Sequence, residues 1–490
     1  MNDQATTWGH PKGLFYLFFA ELWERFSFYG MRALLTLYMV EVVFEALSNR
    51  DFVTAAIYSS YGSLVYAGTV IGGRISDRLL GMRKSIFLGG ILMAIGHFVL
   101  AIEHNMAFFL ALSFIIVGNA FFKPNISTFV GTLYEDNDPR KDSGFTIFYM
   151  GINLGAWVSP LLCGWLAASY GWHYGFGLAG IGMVAGLVFF YSGIKKGVFG
   201  DKGLPPEPQL LEQKQFGLSK EPIITILSVI AVPLIALLIS AYNPIYNEDT
   251  LVNVIFKGIG VFIIGYLAYI LYQASADERK KLFVAILITL FMTIFWGFHE
   301  LSGSVITLFS ARNVELNSLN PMFIILFAIP ISMLWTWLSK RGLNPRTPYK
   351  FGLGLVFAGL SFYVLAISGV SANEEGLVPF SYLLVMYLLL SVGELFMSPV
   401  GLSKITSLSP KRIVAFMMGV WFLSSAFAFQ VVGFIGKKLS VESGSDAADP
   451  LQTLTLYTEG FALIAQYSLI AGVVVLVASP LIKRLMGEVH

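Results

Sequence analysis

The chain has 490 residues, of which 56% are hydrophobic and 13% charged, and a mean hydropathy of +0.71. A soluble globular protein carries roughly 25% charge, so this balance excludes a soluble domain and fits a polytopic helical membrane protein, with a net charge of only +2. The lone cysteine, Cys163, excludes an internal disulfide or a cysteine zinc cluster and reads as a small packing residue in an apolar span.

The stretch from Met1 to Gly13 is polar, and the helix behind it is too long and too charged for a signal-peptide core, so it is expected to be retained. The first span, Leu14 to Val40, is long enough to cross a bilayer but contains Glu21, Glu24, Arg25 and Arg32. A charge at mid-membrane costs roughly 2.5–3.5 kcal/mol, so such residues face a protein interior or an aqueous cavity and carry partners. At about 100° per residue, Glu21, Arg25, Phe28, Tyr29 and Arg32 fall on one stripe of a helix.

Apolar runs begin near Leu14, Phe52, Ser85, Ala107, Ser143, Tyr174, Ile223, Leu251, Leu282, Pro321, Phe351, Ser381, Ile413 and Gly460, predicting 14 transmembrane helices. An even count puts both termini on one side. The even-numbered connections and the termini hold 24 of the 32 Lys and Arg, and the odd-numbered ones hold Arg50, Arg312, Lys437 and Lys438. The positive-inside rule then makes both ends cytoplasmic in a multi-pass plasma (inner) membrane protein.

The segment Gly197 to Pro222, with Pro205, Pro206 and Pro208, is the one long polar linker. The two spans after it have few polar side chains apart from Lys257, and read as an inserted hairpin outside the working core. Setting them aside leaves two six-helix bundles, the plan of transporters whose site lies at the midplane. The expected division is 1–196 for the first bundle, 197–281 for linker and hairpin, and 282–490 for the second. Gly73, Asp77, Arg78, Gly81, Arg83 and Lys84 resemble the loop motif between helices two and three of the major facilitator superfamily, with a weaker echo at Lys340 to Lys350. Such a basic loop can latch neighbouring helices.

Charge enters other spans too. Lys123 precedes Pro124 and Asn125, Glu300 ends the run Phe295-Trp296-Gly297-Phe298-His299, and Glu394 lies in Gly393 to Pro399. The first bundle thus offers cations and the second carboxylates, which suits a ligand with two poles and ion pairs that open and close between bundles.

Together these residues resemble the proton-dependent oligopeptide transporter family. The sharpest matches are Glu21-Leu-Trp-Glu24-Arg25-Phe26 with Tyr29 and Gly30, and Phe148-Tyr149 with Ile152-Asn153-Leu154-Gly155. Others are Lys123-Pro124, Phe295-Trp296, Asn320-Pro321, Gly393-Glu394-Leu395 and Trp421-Phe422-Leu423. The resemblance covers nearly the whole chain and implies a symporter of di- and tripeptides on the major facilitator fold, with protons as coupling ion and no cofactor or metal. By that analogy Arg25, Lys123 and Asn153 hold the peptide carboxylate, Tyr29, Tyr66 and Tyr149 add hydrogen bonds, and Arg32 also lines the peptide site. Glu394 and Asn320 receive the ammonium, and Trp296, Trp421 and Ser425 line side-chain pockets. A guanidinium fork suits a carboxylate, and a carboxylate suits an ammonium.

Two positions depart from the family pattern. Leu301 follows Glu300 where a glutamine is expected, and the second helix reads Tyr58-Ser59-Ser60-Tyr61 where animal members have a histidine. Proton coupling should therefore rest on Glu21, Glu24 and Glu300, with Glu21 and Glu24 pairing Arg25 until protonated, while Arg32–Glu300 and Lys123–Glu394 link the bundles. His97 reads as a core residue and His299 as a modest candidate beside Glu300. A drug/proton antiporter or a carrier of nitrate or another small anion on the same fold is the alternative. An ATP-driven pump lacks its phosphate loop; Gly175-Phe-Gly177-Leu-Ala-Gly180 and the pairs Gly68/Gly72 and Gly151/Gly155 read as helix packing, and no enzyme site is visible. Expected partners are a peptide and the lipid bilayer, with no nucleic acid and with a homo-oligomer left open.

Overall fold

The computed structural model describes residues 6–135, 138, 140–215, 217–241, 250–314, 347–397, 408–410, 414–441 and 449–486. It is helical nearly throughout. In chain order the helices are α1 (Lys12–Tyr38), α2 (Arg50–Ile75), α3 (Gly81–Leu100), α4 (Asn105–Thr132), α5 (Lys141–Tyr170), α6 (Trp172–Lys195), α7 (Pro208–Glu212), α8 (Lys220–Ser240) and α9 (Leu251–Gln273). Then follow α10 (Ala276–His299), α11 (Val305–Asn313), α12 (Thr347–Ala366), α13 (Ser381–Met397), α14 (Val414–Lys438) and α15 (Pro450–Met486). Eleven stretches among the described residues are long and apolar enough to cross a membrane; Arg50–Leu100 joins α2 and α3, and Ser381–Glu394 is shorter. Every expected span begins a helix except that at Pro321, which lies outside the described residues. The last helix starts at Pro450 rather than near Gly460, because a proline at the first helical position loses no hydrogen bond there.

Contacts divide the chain into two compact units, Met1–Val43 with Leu64–Leu251, and Phe44–Ser63 with Val252–His490. The core of the first unit gathers Leu14 and Leu17 of α1, Phe129 of α4, Phe148 of α5 and Phe190 of α6 around Phe199. Small residues bring its helices together. Pro124 has no N–H to give the carbonyl of Ala120, and Gly72 of α2 packs onto that carbonyl so closely that a Cβ would lie 2.0 Å from its oxygen. Gly155 sits likewise against the Leu22 carbonyl, at 2.3 Å, and Gly175 against that of Cys163, at 2.8 Å. A Cβ at Gly30 would meet the Cys163 sulfur, so the cysteine packs where expected.

The linker differs from its polar reading. It holds α7 and a two-stranded turn, Lys214–Gln215 paired with Leu218–Ser219, and it buries Phe199 and Leu211. The basic loop after α2 binds this linker and the first turn of α8. Arg83 donates from Nε to the Lys202 carbonyl (2.7 Å) and from Nη2 to that of Gly200, its N–H bonds the Gly203 carbonyl, and Lys84 pairs with Glu221 at the start of α8. Asp77 and Arg78 are exposed and make no ion pair among the described residues. Gly81 adopts φ +71°, and a Cβ there would strike the Leu204 carbonyl.

At the other end of the sequence of the first unit, Trp8 (φ 50°) and Gly9 (φ 78°) turn a two-residue hairpin, Thr6–Thr7 with His10–Pro11. The Arg140 guanidinium donates to the Gly9 carbonyl and grips Asp138, holding that carboxyl at about 2, well below its usual range. His10 Nδ1 lies 2.9 Å from the Tyr134 hydroxyl, whose pKa burial pushes up to about 12.

In the second unit α12 packs on α15 through Gly352, Gly359 and Gly472, with Ser468 donating to the Leu355 carbonyl. Gly62 and Ser63 of α2 meet Phe429 and the Ala426 carbonyl of α14. At its start, α2 supplies Asp51 to Arg312 of α11 in a two-pronged pair of 2.6 and 2.8 Å, and Arg312 also donates to the Tyr457 hydroxyl at 2.8 Å.

Candidate functional site

The described candidate residues divide between the two units. In the first, the α1 stripe is buried as its spacing demands: Glu21 is 4%, Glu24 0% and Arg25 3% exposed. Arg25 Nη2 donates to Glu24 Oε1 at 2.8 Å, its Nε also meets the other Glu24 oxygen, and Nε lies 3.2 Å from Glu21 Oε1. Two carboxylates therefore share one guanidinium, and Glu21 Oε2 has no hydrogen bond among the described residues. Arg25 also stacks over the rings of Phe28 and Tyr29, at 5.4 and 6.0 Å.

Beside this triad Lys123 of α4 places its ammonium 4.0 Å from the centre of the Tyr66 ring of α2. Proline at 124 breaks the backbone bond one residue on, and Asn125 donates to the Phe121 carbonyl in the same turn. Glu21 is within electrostatic reach of Lys123, and Tyr29 within reach of Tyr66, Lys123 and Arg32. Arg32 is half-buried one turn beyond Tyr29. On α5, Tyr149 is 50% exposed and Asn153 donates to the Tyr149 carbonyl at 2.9 Å. One unit thus presents an arginine, a lysine, three tyrosines and an amide, a set able to bind a carboxylate.

In the second unit His299 Nε2 lies 3.3 Å from Glu394 Oε2, joining the ends of α10 and α13. Trp296 stacks edge-on against His299 at 5.0 Å. Glu300 is 5% exposed and opens a short 3-10 turn, Glu300–Gly303, that ends the run of α10. Trp421 is buried and Ser425 half-buried on α14. Asn320 lies outside the described residues. An ammonium only donates hydrogen bonds and so needs acceptors, which the Glu394 carboxylate beside His299 can supply.

Sequence reasoning passed over two polar nodes. Asp51 with Arg312 and Tyr457 is one. The other is Asn253 of α9, 2% exposed, whose Oδ1 accepts from Gln430 at 2.9 Å and from Ser59 and Ser60 at 3.3 Å. The signal was an asparagine in a span otherwise read as featureless. His97, 0% exposed on α3, has the core position expected of it.

Residues 83–447 match the protein family described as the POT family. The chain belongs to the POT family. Over its whole length it is similar to two bacterial transporters. It is 37% identical to the uncharacterized transporter YclF of Bacillus subtilis (strain 168), across 99% of this chain and 97% of that one. It is 34% identical to a di-/tripeptide transporter of Lactococcus lactis subsp. lactis (strain IL1403), across 100% and 99%. Among solved structures, a mutant POT peptide transporter crystallised with alafosfalin superposes with a TM-score of 0.81 at 35% identity, covering 99% of this chain and 98% of that one. As a POT protein the chain is a multi-pass membrane transporter of the peptide transporter family, not an enzyme, and the resemblance drawn from its motifs is correct.

Proposed function

We propose that this transporter is a proton-coupled symporter that imports di- and tripeptides by alternating access. The observation that carries the reading is the buried Glu21–Arg25–Glu24 triad beside Lys123 and Tyr66: a carboxylate-binding fork occupied by two acids. Protonating an acid releases the guanidinium, and an incoming peptide carboxylate takes the vacated donors, with Lys123, Asn153, Tyr29, Tyr66 and Tyr149 completing its shell. Proton and peptide thus bind in one sequence. The peptide ammonium goes to Glu394 with Asn320, and Trp296, Trp421 and Ser425 face its side chains. Arg32–Glu300 and Lys123–Glu394 are the pairs that make and break as the bundles rock. The Lys and Arg distribution supports cytoplasmic termini in an inner membrane.

The driving force suffices: one proton carried with a neutral zwitterion gains about 2.3 kcal/mol per 100 mV. The test is uptake of labelled dialanine into liposomes holding the purified protein, with and without an inward proton gradient, and with free alanine as competitor. Gradient-dependent accumulation, blocked by unlabelled dipeptide and not by alanine, is expected. Folded, reconstituted protein that takes up no dipeptide overturns the assignment and redirects it to anions or drugs.

A further inference from the structure

A groove of about 380 Å³ opens where α9 and α15 end and α10 begins, lined by Leu271, Ala276, Arg279, Lys280, Phe283 and Leu485. Its walls are of two kinds. Leu271, Phe283 and Leu485 are apolar, and Phe283 is 44% exposed. Arg279 and Lys280 form a cationic rim, and Lys483 and Arg484 precede Leu485 on the last turn of α15.

The neighbouring acids among the described residues are already engaged. Asp277 pairs with Lys281 at 3.1 Å, and Glu278 closes the capping box with Ser275. Arg279 spends Nε and Nη2 on the carbonyls of Leu271, Tyr272 and Ala274, closing the end of α9 and fixing the guanidinium, while its Nη1 makes no hydrogen bond among the described residues. Lys280 is exposed and has no carboxylate partner among them. The level of the groove is that of a membrane boundary: Tyr266, Tyr269 and Tyr272 are exposed along the last two turns of α9, the placement of interfacial tyrosines.

We infer that this groove binds one anionic phospholipid, its phosphodiester on Lys280 and Arg279 Nη1 and its first acyl carbons against Leu271, Phe283 and Leu485. A free phosphate would leave the apolar wall unused, and a zwitterionic lipid would set its own cation against the rim. Basic pockets between helices on the positively charged side of a membrane protein have this chemistry. The volume admits the headgroup and glycerol region, with the chains continuing into the bilayer.

The test uses the full-length protein in detergent, with native mass spectrometry and thermal unfolding as readouts, independent of transport. Phosphatidylglycerol and phosphatidylcholine with identical chains are compared, with glycerol 3-phosphate and inorganic phosphate as soluble arms. Retention of one phosphatidylglycerol and a raised Tm, absent with phosphatidylcholine and with both phosphates, is expected. Lys280→Gln should weaken retention about fivefold, and Phe283→Ala should weaken it without a change of charge. Lys195→Gln, which removes another exposed cation outside the groove, should leave it unchanged. Equal retention of the two lipids, equal protection by free phosphate, or an equal loss in Lys195→Gln would each overturn the assignment.

Discussion

At the scale of single residues, the decisive fact is that a guanidinium with 3% exposure is shared by two acids on its own helix. Glu24→Gln keeps the shape and removes the negative charge. The expected result is peptide exchange near wild-type rate with uphill accumulation abolished; normal gradient-driven accumulation would sink the coupling role. Lys123→Gln removes a charged hydrogen-bond donor worth about 1.5–3 kcal/mol, so the apparent peptide affinity should fall roughly 10- to 100-fold. Counterflow at varied dipeptide concentration checks this. Asp51→Asn leaves Arg312 facing an uncharged amide; breaking a buried pair from one side costs about 3–5 kcal/mol, so Tm should drop sharply. Legibility at this scale was uneven. Arg25 announced itself because charge in an apolar run is anomalous, whereas Asp51 and Arg312 stand 261 residues apart and each looks like an ordinary loop charge.

At the scale of elements, α4 bends its function around a missing bond. Pro124 frees the Ala120 carbonyl, and only a glycine at 72 lets α2 lie against it. Gly72→Ala should cost about 1–3 kcal/mol through forced separation of α2 and α4, read as a lower Tm and as slowed uptake from displacement of Tyr66 relative to Lys123. The spacing of Gly68 and Gly72 made this contact readable; the carbonyl it serves was not, because a partner helix cannot be identified from one helix's period. The linker carries more than its polar composition marks: Arg83 bonds its carbonyls, and the side chains of Phe199 and Leu211 are buried. Arg83→Ala should speed proteolysis between positions 200 and 215 severalfold while leaving the helices resistant. Likewise α9 read as a bystander and instead places Asn253 in a four-residue polar node with Ser59, Ser60 and Gln430.

At the scale of the whole molecule, composition alone gave the class, and hydropathy located the spans because lipid enforces length and polarity more strictly than water does. The division into units was less legible: contact grouping assigns the first part of α2 with residues 252 onward, a partition no sequence pattern marks. Charge asymmetry predicts sidedness. In a Cys163→Ala background, Asp201→Cys should react with an impermeant maleimide only from the cytoplasmic side and Lys438→Cys only from outside, and the reverse pattern would invert the topology. The Asp138–Arg140 clasp should add no pH dependence over roughly pH 5 to 8: a depressed carboxyl contributes fully above its unfolded value, 3.8, and loses that contribution as pH falls from there through its folded value, about 2. The Phe199 ring has a consequence for biogenesis. It sits against Phe129 at 4.9 Å, inside the core that α1 begins with Leu14 and Leu17. Phe199 follows directly on the end of α6, so the core of the first bundle completes its packing only once the start of the linker has left the ribosome behind that helix.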